Sequence, residues 1–172
     1  IRVKDLVKQV AHLGMKSVAL TDHASMFGAI QLHKYAKEMG VAPILGCEIN
    51  VQRQVDRGNA PLDHLVLLAA SEEGYKNLVK IVSRGHTHPV STDDASVTLD
   101  FVSEHTKGIV GLTACMGGVV QQKVLNEGEK AGRDMLGLLK SRFEPGRLFV
   151  EVQDHGLPEQ PVVNGILERI AR

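Results

Sequence analysis

The 172-residue chain has no tryptophan, and its aromatic residues amount to 3%. That leaves too few rings for a platform on which single strands stack without sequence preference. Two cysteines, Cys47 and Cys115, are too few and too far apart for a disulfide scaffold, and they fit a reducing cytoplasm. Neither sign of charge prevails: 20 Lys and Arg balance 20 Asp and Glu, so no broad positive field gathers nucleic acid by counterion release. Any DNA contact is then local, or made by parts outside this chain. No apolar run reaches the roughly 18 residues of a bilayer span, which excludes a membrane-spanning helix in this chain. Several chemical signatures are also absent. There is no G-x-x-x-x-G-K-[ST] phosphate loop, no G-x-G-x-x-G after a strand, no G-x-S-x-G elbow and no HExxH. Ile1-Arg2-Val3-Lys4-Asp5 enters an amphipathic pattern at once, with neither initiator Met nor apolar leader, and reads as the start of a chain cut from something longer.

What is there is an alternation of helical and strand patterns over a length that suits one domain. Val3, Leu6, Val7, Val10 and Leu13 recur at helical spacing until Gly14, and "SVALT" follows as a short strand. A helix from about Met26 to Met39 leads to the strand "APILGCEINV". After the polar loop "QRQVDRGNAP" come the strand "HLVLLAA" and a helix in "SEEGYKNLVKIVSRG", opened by Ser71. "HTHPVSTDDAS" reads as an irregular surface excursion. A short helix near Asp100 to His105, the strand "GIVGLT", helices from "ACMGGVVQQKVL" and over Glu129 to Ser141, the strand "LFVEVQ" and a closing helix complete the order. Five strands alternating with helices imply an α/β fold with a mostly parallel sheet, doubly wound or barrel-like.

Four residues of metal-ligating type border four different strands: His23 after the first, Glu48 in the second, His64 opening the third and Cys115 just past the fourth. None has a partner at zinc-finger spacing. Strand ends of an α/β sheet converge in space, so such a site needs no sequence proximity. Each residue also has an ordinary reading. Asp22 or Ser25 suits a helix N-cap, His64 a buried histidine bonded to backbone, and Cys115 a small core residue before Gly117-Gly118. Glu48 is the strongest pointer, because "ILGCEINV" surrounds a carboxylate with apolar neighbours and a buried charge is costly unless paired or metal-bound. His86 and His88 mimic an H-x-H pair, but between Gly85 and Pro89 they read as solvated loop residues. His155 suits either a helix entry or the neighbourhood of a site.

"GMKSVALTDHASMFGAIQLHKYAKEMGVAPILGCEINV", "DHLVLLAASEEGYKNLVKIVSR", "GIVGLTACMGGVV" and "LFVEVQDHGLPEQ" resemble successive motifs of the polymerase and histidinol phosphatase (PHP) domain family, in the form that opens bacterial DNA polymerase III alpha subunits. The likeness spans nearly the whole chain and loosens between about Gly85 and Val97. It implies a distorted (β/α)₇ barrel, here incomplete over residues 1–172, with up to three divalent metals, Zn²⁺ or Mn²⁺, at its rim. His23, Glu48, His64 and Cys115 fall on the family's ligand motifs, and Asp22 on a position that orients its neighbours. The family's H-x-H pair and following Asp would lie upstream of Ile1, and its Asp-x-His pair beyond Arg172.

The implied activities are metal-dependent 3′–5′ exonuclease proofreading and, in the complete protein, DNA polymerisation with Mg²⁺ at a downstream palm. The implied partners are DNA, the other polymerase domains and replisome subunits such as the sliding clamp. A stand-alone PHP phosphoesterase and a non-catalytic structural PHP domain are the alternatives. His64 sits oddly in this scheme: it opens its strand, whereas parallel α/β sites use the opposite strand ends.

Overall fold

The computed structural model describes residues 1–52, 62–92 and 94–172, so the loop expected over 52–61 lies outside the described residues except for Gln52, which ends a strand. Helix α1 (Val3–His12) turns Val7 and Val10 inward, strand β1 (Ser17–Leu20) follows, and α2 (Ala29–Met39) stops at Gly40. Gly40 has φ 67°, the left-handed conformation that ends a helix cheaply only in a residue without Cβ. Val7, Val10, Leu32, Ala36 and Val41 form a small core of their own with Val18 and Leu20 of β1 against it.

Strand β2 (Ala42–Gln52) organises the rest. β1 pairs parallel with its first residues, Ser17 opposite Ala42 through Leu20 opposite Leu45. β3 (Asp63–Ala69) pairs antiparallel with Gly46 to Val51, and β4 (Ser96–Thr98) pairs parallel with Asn50 to Gln52. β5 (Ile109–Leu112) lies antiparallel on the other side of β3, and β6 (Leu148–Phe149) parallel on β5. The order is β1-β2-β3-β5-β6, with β4 also on β2. Among the described strands β3 alone runs against the others, so the sheet is mostly parallel. Among the described residues the row is also open: β1 and β6 end it and are not paired with each other.

Alternation decides which residues the sheet buries. Cys47, Ile49 and Val51 of β2 and Leu65 and Leu67 of β3 are at most 4% exposed and share one core with Leu78 and Ile81 of α3 (Glu72–Thr87). Helices α4 (Leu99–Ser103), α5 (Val119–Glu127), α6 (Glu129–Arg142) and α7 (Gln160–Ile170) bring the helices among the described residues to seven, giving a mixed α/β fold.

Three local expectations change. The excursion after Gly85 contains a sixth strand, β4, too short for an alternating pattern and held by Asn50 Nδ2 donating to Ala95 O at 3.1 Å. Gly85 does not stop its helix. It is buried inside α3 against β4, where a Cβ would make ordinary contact with Ser96 N at 3.4 Å, and the helix runs on through it to Thr87. The strand expected over "LFVEVQ" shrinks to Leu148–Phe149, because beyond it Thr113 Oγ1, a side chain, takes the bond from Glu151 N at 2.9 Å.

Candidate metal centre

His23 lies beyond the end of β1 yet keeps its register, forming an isolated parallel bridge with Glu48. Glu48 N donates to Asp22 O at 3.2 Å and Ala24 N donates to Glu48 O at 2.7 Å, so the backbone on both sides of His23 is clamped to β2. The turn that follows puts Ala24 at φ 50°, a left-handed conformation rare outside glycine and Asn or Asp. A third tie comes from a distance in sequence: His86 Nε2 lies 2.7 Å from Ala24 O and must carry its proton there, since a carbonyl only accepts.

The other face of the strand alternation carries the polar tips. Asn50 of β2 stands opposite His64 of β3, and Glu48 opposite Val66, so Glu48 and His64 are diagonal neighbours on one face. Glu48 Oε1 is 2.8 Å from His23 Nδ1 and 3.7 Å from His64 Nδ1. The two imidazoles meet edge to face with centroids 5.0 Å apart. One ligand atom from each of His23, Glu48 and His64 lies within 4.8 Å of the others. Glu48 is half-buried rather than buried, its side chain 23% exposed beside a His23 side chain at 49%, because its alternation partners Cys47 and Ile49 take the core positions. The cluster is therefore open to a solvent-borne ligand.

Cys115 joins from the turn between β5 and α5. Its Sγ lies 3.3 Å from His64 Nδ1, and His64 N donates to Gly117 O at 2.8 Å. Ala114, immediately before it, has φ 65°. A Cβ on Gly117 would stand 3.1 Å from His64 Nδ1, so any other residue there would press the ring back by a few tenths of an ångström. The odd position of His64 has a simple origin. Because β3 is reversed, its first residues lie beside the C-terminal half of β2, at the rim to which β1 and β5 deliver His23 and Cys115.

Asp22 contacts the site through its main chain: its carbonyl accepts from Glu48 N and from Cys47 Sγ at 3.3 Å. Cys47 faces the core, and its thiol is pushed up to about 11, first by burial and further by the charges of Asp22 and Glu48, against a lowering backbone hydrogen bond at Ser25. It stays a thiol at neutral pH. His86 is not the loop residue expected from its flanking Gly and Pro: it stands in the last turn of α3. His88 caps that helix, with Nδ1 3.0 Å from Thr87 Oγ1, and His155 donates its backbone N–H to Gln160 Oε1 as a helix-entry residue. His86, Gly117 and the two strained alanines are the site's supports that sequence reasoning passed over. The only signal for His86 was helical phase carried through Gly85.

A family model described as the PHP domain matches residues 1–155. The chain is 34% identical over 186 residues to DNA polymerase III subunit alpha of Thermus aquaticus, covering 99% of this chain and 15% of that protein. The counterpart from Deinococcus radiodurans is 35% identical over 184 residues, covering 99% and 14%, and that from Pseudomonas aeruginosa 36% over 155 residues, covering 89% and 13%. The chain thus spans about one seventh of the length of these curated relatives. A solved structure from Bifidobacterium adolescentis, assigned as a metal-dependent phosphoesterase, superposes with TM-score 0.55 at 16% identity, over 98% of this chain and 78% of its own, which shows a shared fold. No helix among the described residues is long and apolar enough to cross a membrane. By the family model and by its identity to these polymerase subunits along nearly its whole length, the chain belongs to the PHP domain family.

Proposed function

We propose that this chain is the PHP domain of a bacterial DNA polymerase III alpha subunit, and that His23, Glu48, His64 and Cys115 hold divalent metal for 3′–5′ hydrolysis of DNA phosphodiesters. The observation that carries the reading is the cluster itself: imidazole, carboxylate and imidazole donors within 4.8 Å of one another, with a thiol 3.3 Å from one of the rings. That donor set suits Zn²⁺ or Mn²⁺. Bound metal would supply Lewis acidity that activates water and neutralises charge on the departing oxygen.

The chain's own residues do the positioning. Glu48 Oε1 accepts from His23 Nδ1, which orients that ring and leaves Nε2 facing away from the carboxylate. The paired backbone bonds between Asp22–Ala24 and Glu48 hold both side chains in register, so Asp22 acts as a positioning residue through its carbonyl. The half-exposed His23 edge gives a phosphodiester access. Further ligands from segments outside residues 1–172 would complete a site for up to three metals on a closed (β/α)₇ barrel. The same reading assigns the longer protein Mg²⁺-dependent polymerisation in the cytoplasm, with DNA, the other polymerase domains and the sliding clamp as partners.

The test measures 3′-end release from single-stranded DNA by the full-length protein with Mn²⁺ or Zn²⁺, beside its primer extension. His64→Asn is expected to lower 3′-end release by about a hundredfold or more while extension continues. Unchanged release in that variant would sink the assignment.

A further inference from the structure

Cys115 also lines a small cavity in which His23, Glu48 and His64 take no part. Ala114, Gln121, Glu151, Gln160 and Asn164 are among its other walls, and its free volume is ≈ 10 Å³. That is about the room one water position requires. Three buried side-chain atoms on these walls have no partner among the described residues: Gln121 Oε1, Glu151 Oε2 and Gln160 Nε2. Gln121 and Gln160 are 2% and 1% exposed, so solvent at the surface does not serve them.

The orientation of both amides is fixed by their other ends. Gln160 Oε1 accepts from His155 N at 2.7 Å and Leu157 N at 3.2 Å, which leaves Nε2 as a donor. Gln121 Nε2 donates to Thr113 Oγ1 and Ala114 O, both at 3.0 Å, and to Glu151 O at 3.3 Å, which leaves Oε1 as an acceptor. Glu151 Oε1 takes Gln153 Nε2 at 2.7 Å, and Oε2 is the second acceptor. One donor and two acceptors match a single water, which can accept one bond and donate two. A cation would face the Gln160 N–H, and an anion the Glu151 carboxylate.

We propose that this cavity binds one water molecule, accepting from Gln160 Nε2 and donating to Gln121 Oε1 and Glu151 Oε2, and that the resulting hub positions the turn carrying Cys115. Gln121 grips that turn directly, at Thr113 and at the left-handed Ala114. The water ties the far end of the same amide to α7 and to the segment after β6. This hub does not depend on bound metal, and it stands whether or not the hydrolytic reading holds.

A crystal structure of the full-length protein that shows ordered solvent should place a water within hydrogen-bond distance of all three atoms. A side chain from elsewhere in the protein filling the cavity, or Glu151 turned out of it, would overturn the proposal. A second test uses the water's valence. Gln160→Glu keeps the acceptor for His155 and Leu157 but faces the water with three acceptors for two hydrogens, and with a second negative charge. Peptide-level hydrogen exchange over residues 113–122 of the full-length protein should then quicken by about tenfold or more. Glu151→Gln leaves two donors and one acceptor, which water also satisfies, so exchange should stay within about twofold of the parent. The double variant restores one donor, two acceptors and one charge, and should return to the parent rate. Effects that simply add would refute a shared partner. If Gln160→Glu alone fails to accumulate, recovery of soluble protein in the double variant supports the coupling, and failure of both counts against it.

Discussion

Glu48→Gln keeps the shape of the carboxylate side chain and removes its charge. Without metal the change should matter little: the 2.8 Å contact to His23 involves side chains 49% and 23% exposed, and a solvent-screened pair of this kind contributes less than about 1 kcal/mol. With metal the outcome differs. A metal present at about 100 times its dissociation constant stabilises the folded state by ~2.7 kcal/mol. If loss of the charged ligand weakens binding about a hundredfold, the same metal concentration equals the new constant and contributes only ~0.4 kcal/mol. The variant should therefore match the parent in chelator and fall about 2 kcal/mol behind it when metal is added. Hydrogen exchange of the β2 and β3 amides in the full-length protein, with chelator and with Mn²⁺ or Zn²⁺, reads both conditions at the site. Equal protection of both proteins by metal would refute a ligand role for Glu48. A large deficit already present in chelator would show that its role is structural.

Gly117→Ala places a methyl 3.1 Å from His64 Nδ1 and 3.3 Å from Cε1, so it should shift the ring and weaken metal binding by about tenfold with the fold intact, as equilibrium dialysis would report. His86→Ala removes an exposed 2.7 Å tie to Ala24, worth about 1 kcal/mol, and should weaken metal binding several-fold while His88→Ala leaves it unchanged; equal behaviour of the two variants would deny His86 a positioning role. Burial raises the Cys47 thiol from its ordinary 9.0 to about 11, so the folded state favours the protonated form: stability should be steady below about pH 9 and decline toward pH 11. Cys47→Ala should lessen that decline in alkaline unfolding curves, and rapid alkylation of native Cys47 near pH 8 would contradict its burial.

Much of the fold is legible because the signals are long or chemically distinct. The amphipathic repeat from Val3, the apolar run through β3 and the Ser71 cap each identify an element within a residue or two. What escaped notice is short or held by tertiary contact. β4 has three residues, too few for a period of two to show, and exists because β2 extends far enough to pair with it. Gly85 has the local chemistry of a helix stop, yet it is buried within α3, which continues to Thr87.

The site shows the same division at finer scale. Residue type and strand-end position nominate His23, Glu48, His64 and Cys115, although each has an ordinary reading as well, and the family resemblance singles out the same four. Their mutual geometry depends on strand direction, which residue pattern does not encode: "HLVLLAA" reads the same in a parallel or an antiparallel ladder. Had β3 run parallel to β2, His64 would stand at the far rim from His23. The reversal brings it to 3.7 Å from Glu48 and sets the sequence's one discordant residue among the other three. The backbone is left-handed at Ala24 and Ala114, each adjacent to a candidate ligand, so both ligand-bearing turns hold a conformation that is costly outside glycine. Both strained residues are held by side chains from later in the sequence, Ala24 by His86 and Ala114 by Gln121. The turns on either side of the cluster are thus each tied to a helix outside it, α3 and α5, so the placement of His23 and Cys115 depends on how those helices pack.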